Sequence, residues 1–409
     1  MIKAYNPTWA HQEALRQAAR RWQRRGQISQ PQLQTINETY PLDFYRPVIY
    51  LRILLFLLVA LGYFAATGIL GLFIYSAGQD QSFGSNHEEI VFGITCLLAS
   101  LGGHSLLLNI IRSSRTYRAG SDQALLYISL GLAAAAIFCF VETGRPSIGG
   151  DWLTLNSPYL PLLLLPVLGL LILASVSYAD PLVAATAYLT GLALVANILL
   201  RFGSGRLLLP FAVMAAAAGL YYLVRRLGQR ADYWYYRSCL LTLQALALAT
   251  FYLGGNYLVV REANAALSGE LISQQLPFAL VFYLLTAVIP LVYLAYGLHR
   301  PNRVWLLTGL AALAFSGYTV RFYHSVLPPT LASALLGAFL VALMALALRY
   351  LRTPRHGLTA ASDDEATERP GLNLEALIVA QTAHAPQAPE PGFQFGGGQS
   401  GGGGAEGQW

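Results

Sequence analysis

The sequence predicts an all-α polytopic integral membrane protein with about ten transmembrane helices, N-in and C-in. Three observations carry that prediction. Apolar runs of roughly 17–25 residues recur along the chain, and that is the length an α-helix needs to cross a bilayer. The chain is 55% hydrophobic and only 11% charged, where a soluble domain carries about 25% charge. The charge that remains collects at the two ends and in alternate loops. In lipid each backbone N–H and C=O must be satisfied within its own segment, so runs this long must be helices.

Residues 1–48 predict a small cytoplasmic helical hairpin. Thr8 is the expected cap of a first helix reaching about Arg25, with Gly26 as its stop. Leu15, Ala18, Ala19 and Trp22 share one face of it, and Arg16, Arg20, Arg21, Arg24 and Arg25 fill much of the rest. Ser29 is the expected cap of a second helix with Pro31 in its first turn. Leu33, Ile36 and Tyr40 give that helix an apolar stripe, and Pro41 ends it. No cleavable signal peptide is expected, because the first apolar run is too long for one and reads as an uncleaved insertion signal.

The membrane domain is expected over 49–350. Its runs lie near 49–76, 89–111, 123–141, 159–178, 181–200, 207–224, 236–260, 277–298, 303–320 and 331–350. Only Ala179, Asp180 and Pro181 separate the fourth from the fifth, which reads as a tight turn. The ninth is short and interrupted by polar residues, so nine spans or a re-entrant segment stay open.

Arginine decides the orientation. Arg112, Arg115 and Arg118, then Arg225, Arg226, Arg230 and Arg237, then Arg300 and Arg303, fall in alternate loops. The intervening loops hold Asp80, Glu88, Glu89, Glu142, Asp151, Glu262 and Glu270, with scattered Arg145, Arg201, Arg206, Arg261 and Arg321. That asymmetry predicts both termini in the cytoplasm. The net charge of +6 is explained the same way and argues for lipid rather than nucleic acid as the partner. Cys96, Cys139 and Cys239 sit in or near spans and read as bilayer-facing or packed thiols rather than a disulfide. Residues 351–409 carry an acidic patch and then become Pro- and Gly-rich, a composition expected to give a disordered cytoplasmic tail.

Two stretches resemble known proteins. Leu15, Trp22, Gly26, Ile28, Ser29, Gln32, Ile36 and Tyr40 resemble the cytoplasmic hairpin that opens a large class of uncharacterised bacterial multi-pass membrane proteins. Residues 373–378 followed by FGGGQSGGGGAEGQW resemble the tails of hypothetical membrane proteins from Bacteroidetes-type bacteria and of membrane-anchored TPM-domain proteins. The resemblance implies a bacterial inner-membrane protein and carries over no functional residue.

No catalytic, cofactor-binding or metal-ligating signature is legible. His104, mid-run after Gly102 and Gly103, is the most notable intramembrane group. With Asn109, Asn197, Gln244 and Asn256 it forms a candidate polar cluster for a neutral or amphipathic ligand, set against plain interhelical hydrogen bonding. The arginine face of the first helix, and Phe393, Phe395 and Trp409 in the tail, are candidate contacts for lipid or a protein partner. The leading expectation is a non-enzymatic inner-membrane protein that docks partners or lipids through its cytoplasmic ends. The alternative is a transporter or lipid-handling protein using the polar cluster. An intramembrane enzyme is a third reading, weakened because no carboxylate lies in the middle of a run.

Overall fold

A computed structural model describes residues 3–78, 87–144, 153–269, 273–275, 278–300, 302–323 and 329–350. The candidate tail residues Phe393, Phe395 and Trp409 therefore lie outside the described residues, as does the expected disorder of 351–409. Among the described residues the secondary structure is helical, with one isolated parallel bridge between Tyr45 and Thr116.

Two short helices come first, α1 (Pro7–Arg24) and α2 (Gln30–Thr39). The cap of α1 is Asn6 rather than Thr8. The Asn6 carboxamide oxygen accepts from the Thr8 N–H at 3.0 Å and from the Thr8 hydroxyl at 2.8 Å, so Thr8 donates where it was expected to accept. Pro7, with its preset φ and no N–H, fits the first helical position and moves the start back by two residues. Gly26 follows α1 at φ 69°, as a stop residue should. Ser29 caps α2 in a reciprocal capping box with Gln32.

The long helices follow as α3 (Ile49–Gly78), α4 (His87–Ser113), α5 (Ser121–Gly144), α6 (Leu160–Tyr178), α7 (Pro181–Leu200), α8 (Gly205–Leu227) and α9 (Tyr233–Gly255). Then come α10 (Tyr257–Ser268), α11 (Ala279–His299), α12 (Arg303–Tyr323) and α13 (Pro329–Tyr350). Nine of these, α3 to α9 with α11 and α12, are long and apolar enough among the described residues to cross a membrane. The protein is an all-α polytopic membrane protein.

One expectation holds and one changes. The run at 303–320 is one helix of 21 residues, since its polar Ser316 and Thr319 bond back to the carbonyls of Ala312 and Phe315. The run at 236–260 is not one helix. Asn256 breaks it, and its side chain accepts from the N–H groups of Leu258 and Val259 to start α10. Side-chain capping competes with helix continuation, and apolarity alone does not reveal it.

Neighbouring helices pair as α4 with α5, α6 with α7, α8 with α9, and α11 with α12. None of the described side chains of α3 is buried, and Leu61 and Leu72 are 72% and 71% exposed. In a protein with this many spans such a face meets lipid. The main apolar cluster lies where α1 meets the bundle and gathers Tyr5, Trp9, Leu107, Ile111, Tyr117, Leu126 and Tyr178.

Candidate functional site

The five polar residues expected to cluster are held separately. His104 is exposed, with Nδ1 3.4 Å from the Tyr178 hydroxyl. Asn109 is exposed one turn further along α4. Asn197, fully buried near the end of α7, donates to the carbonyls of Leu155 and Ser157 at 2.7 and 2.9 Å, and its oxygen accepts from Arg201 at 2.8 Å. Asn256, also fully buried, donates to the Tyr252 hydroxyl at 2.9 Å and to Thr319 Oγ1 at 3.0 Å. Gln244 lines a cavity described below. Asn197 and Asn256 thus tie local elements together. A buried amide that finds partners close by has no free donor to offer a shared ligand.

The arginine face of α1 also divides. Arg16 donates to the carbonyls of Tyr40, at 2.7 Å, and Asn37, closing the hairpin. Arg21 and Arg25 have partners of their own. Arg20 and Arg24 are exposed.

The most connected polar site escaped the sequence reading, and its centre is Asp122. This carboxylate, fully buried at the start of α5, accepts from the Tyr5 hydroxyl at 2.6 Å and the Arg118 N–H at 2.8 Å. Its other oxygen accepts from the N–H groups of Ala119 and Gly120 at 2.8 and 3.1 Å. Three successive amides reach one carboxylate because the loop curls, with Arg115, Arg118 and Gly120 at φ 46°, 51° and 97°. At Gly120 a Cβ would sit 2.2 Å from the Arg52 carbonyl oxygen, so only glycine fits. Arg118 then reaches Ser238 Oγ at 3.1 Å and the Ala179 carbonyl at 2.9 Å, joining α5, α6 and α9.

The N-terminal segment plugs into this hub. The Ala4 N–H donates to the Ser177 carbonyl at 2.9 Å, and Lys3 pairs with Asp232 at 2.6 Å. Burial and the adjacent Asp122 charge push the Tyr5 hydroxyl well above its ordinary pKa. Arg46 pairs with Glu13, and burial beside Arg52 lowers its pKa to about 10. Asp180 caps α7 through the N–H groups of Leu182 and Val183, and accepts from the Tyr127 hydroxyl at 2.9 Å. The Gly-Ser-Asp sequence before an apolar run was the available signal for Asp122. All of this is binding within the chain, and it explains rigidity rather than chemistry.

Two cavities stand out among the described residues. The first, of about 390 Å³, lies among α8, α9, α10 and α11, at the ends away from the hairpin. Leu207, Pro210, Val213, Leu253, Val260, Leu267 and Phe282 give it apolar walls. Arg206, Thr250 and Asn264 are its polar side chains, and Arg206 donates to Ser268 Oγ at 3.3 Å. The break at Asn256 separates α10 from α9, and residues of both helices line this cavity. Gly254 and Gly255 let the broken end pack closely, with added Cβ atoms 2.9 Å from Met214 and 2.8 Å from Ile289. The second cavity, of about 350 Å³, lies at the hairpin-side ends of α8, α9 and α11 and is more polar.

Fold and cavities define a multi-pass, all-α membrane protein. No protein-family model, curated protein or solved structure matches the chain.

Proposed function

We propose that this protein is a multi-pass protein of a bacterial inner membrane, both termini cytoplasmic, that binds an amphipathic, lipid-like molecule in the apolar cavity of α8 to α11. One observation carries the reading: a cavity of about 390 Å³ with aliphatic and aromatic walls and a single arginine among its lining residues. Apolar walls with few, placed polar groups are the usual make-up of a site for such ligands. Arg206 would hold an anionic or strongly polar head, and the walls an acyl chain. A helix broken inside the bundle is also a recurrent way of building a membrane binding site. The arginine-rich loops on the hairpin side support the orientation, and the cavity then faces the outer leaflet.

The test is equilibrium binding of a fluorescent short-chain phospholipid to the purified full chain. Ala263, exposed where it lines the cavity, gives a filling variant, Ala263→Phe, that leaves the core untouched. Saturable binding by the parent, weakened about tenfold or more in the variant, supports the reading. Equal binding by both contradicts it.

Docking of a partner at the cytoplasmic ends is the second reading, and the exposure of Arg20 and Arg24 favours it. It has less surface than the sequence promised. Trp9 and Ala19 are buried, and Arg16 is spent within the hairpin.

A further inference from the structure

The second cavity is built from different chemistry. Arg225, in the last turn of α8, and Arg300, which caps the end of α11, both line it. Tyr221, Tyr233, Tyr296, Gln244 and Asn302 complete its polar wall, and no Asp or Glu lines it among the described residues. Among the described residues no carboxylate pairs with either arginine. Their neighbour Arg226, by contrast, stacks over the Tyr222 ring with its guanidinium carbon 4.7 Å from the ring centre.

The tyrosine wall is held in place. Trp305 Nε1 donates to the Tyr221 hydroxyl at 3.2 Å, and the Trp305 ring lies 4.4 Å from that of Tyr296. Positive-inside charge and favourable helix C-termini account for arginines at this membrane face. They do not account for two arginines lining one concavity between helices with no carboxylate among its described lining residues. Each guanidinium carries five donors in a planar fork, a shape that matches tetrahedral oxyanions in bidentate fashion.

We propose that this cavity binds a phosphate group through Arg225 and Arg300, at the membrane face that carries the hairpin. The phosphate can belong to an anionic lipid of that leaflet or to a soluble phosphate compound, and the two sources are separable by experiment. The site is independent of the apolar cavity and stands whether or not that cavity holds a ligand.

The experiment uses the purified full chain in a phosphate-free maltoside detergent alone, then with added phosphatidylglycerol, then with inorganic phosphate in the buffer. Thermal midpoint and retained lipid, by native mass spectrometry, are read for the parent and for Arg225→Gln, Arg300→Gln and the double variant. Arg230→Gln, on an exposed arginine of the same membrane face outside the cavity, is the control. The parent should be stabilised by phosphatidylglycerol, by inorganic phosphate, or by both. Each cavity substitution should weaken that effect about tenfold, and the control should not. A response to phosphatidylglycerol alone identifies the leaflet as the source, and a response to inorganic phosphate identifies the soluble pool. The single variants, changed only at exposed helix-end residues, keep the test valid if the double variant fails to fold. Unchanged binding by correctly folded variants, or an equal loss in Arg230→Gln, would overturn the proposal.

Discussion

Replacing Asp122 by alanine should be among the most damaging single changes in this protein. The substitution strands four donors: the Tyr5 hydroxyl and the N–H groups of Arg118, Ala119 and Gly120. A buried donor left without a partner costs about 1–3 kcal/mol. At the low end for each, the total is about 4 kcal/mol, partly offset because a buried charge is also removed. Tyr5→Phe removes one of these bonds and leaves the backbone cradle filled, so it should cost about 1 kcal/mol. Asp122→Asn keeps one oxygen but turns an NH2 toward donors, and should fall between the two. The protein carries its own reporter, since Cys96, Cys139 and Cys239 are free and buried. A thiol-reactive fluorogenic maleimide therefore reads thermal unfolding in detergent without added labels. The order of midpoints should be parent, Tyr5→Phe, Asp122→Asn, Asp122→Ala. If Asp122→Ala unfolds no earlier than Tyr5→Phe, the amide cradle contributes nothing to stability.

Three further outcomes follow from the same structure. Gly120→Ala, at φ 97° and facing the Arg52 carbonyl, should cost about 3 kcal/mol in the same thermal assay. Asn256→Ala removes the cap of α10 and the bonds to Tyr252 and Thr319; it should cost about 2–3 kcal/mol and speed hydrogen exchange in α10 before the rest of the bundle. The Tyr323 hydroxyl, donating at 2.6 Å, holds Glu262 below the usual carboxylate range. The stabilisation is therefore present above the ordinary carboxylate pKa and fades as pH falls through the lowered one, so Tyr323→Phe should flatten the acid limb of the midpoint-against-pH curve.

The membrane-spanning architecture was legible because its cause is local. A run of apolar residues long enough to cross a bilayer admits no structure but a helix, and Ser29 with Gln32 three residues later is a start signal that can be read in order. The break at Asn256 was not legible, because its amide chooses between continuing α9 and capping α10 according to Tyr252 and Thr319. Asp122 was hidden for a similar reason. Its partner Tyr5 is 117 residues away, and the curled loop that aims three amides at it depends on left-handed backbone at two arginines. Arg225 and Arg300 were visible only as topology charge, since their convergence on one cavity is a property of helix packing. The polar spans drew attention as a group, yet Asn197 and Asn256 spend their donors on local partners.

Occupancy of the cavity among α8, α9, α10 and α11 by an amphipathic molecule can be read residue by residue. The measurement is photo-crosslinking with a phospholipid that carries a diazirine in its acyl chain, the full chain in nanodiscs, and peptide mapping of the adducts. Saturable adducts are expected on Leu207, Val213, Val260 and Leu267, competed by unlabelled lipid and reduced in Ala263→Phe. Adducts on the exposed residues of α3, such as Leu61 and Leu72, should be non-saturable and unchanged by the substitution. Labelling of the cavity residues no more saturable than that of α3 would mean that the cavity holds no such ligand.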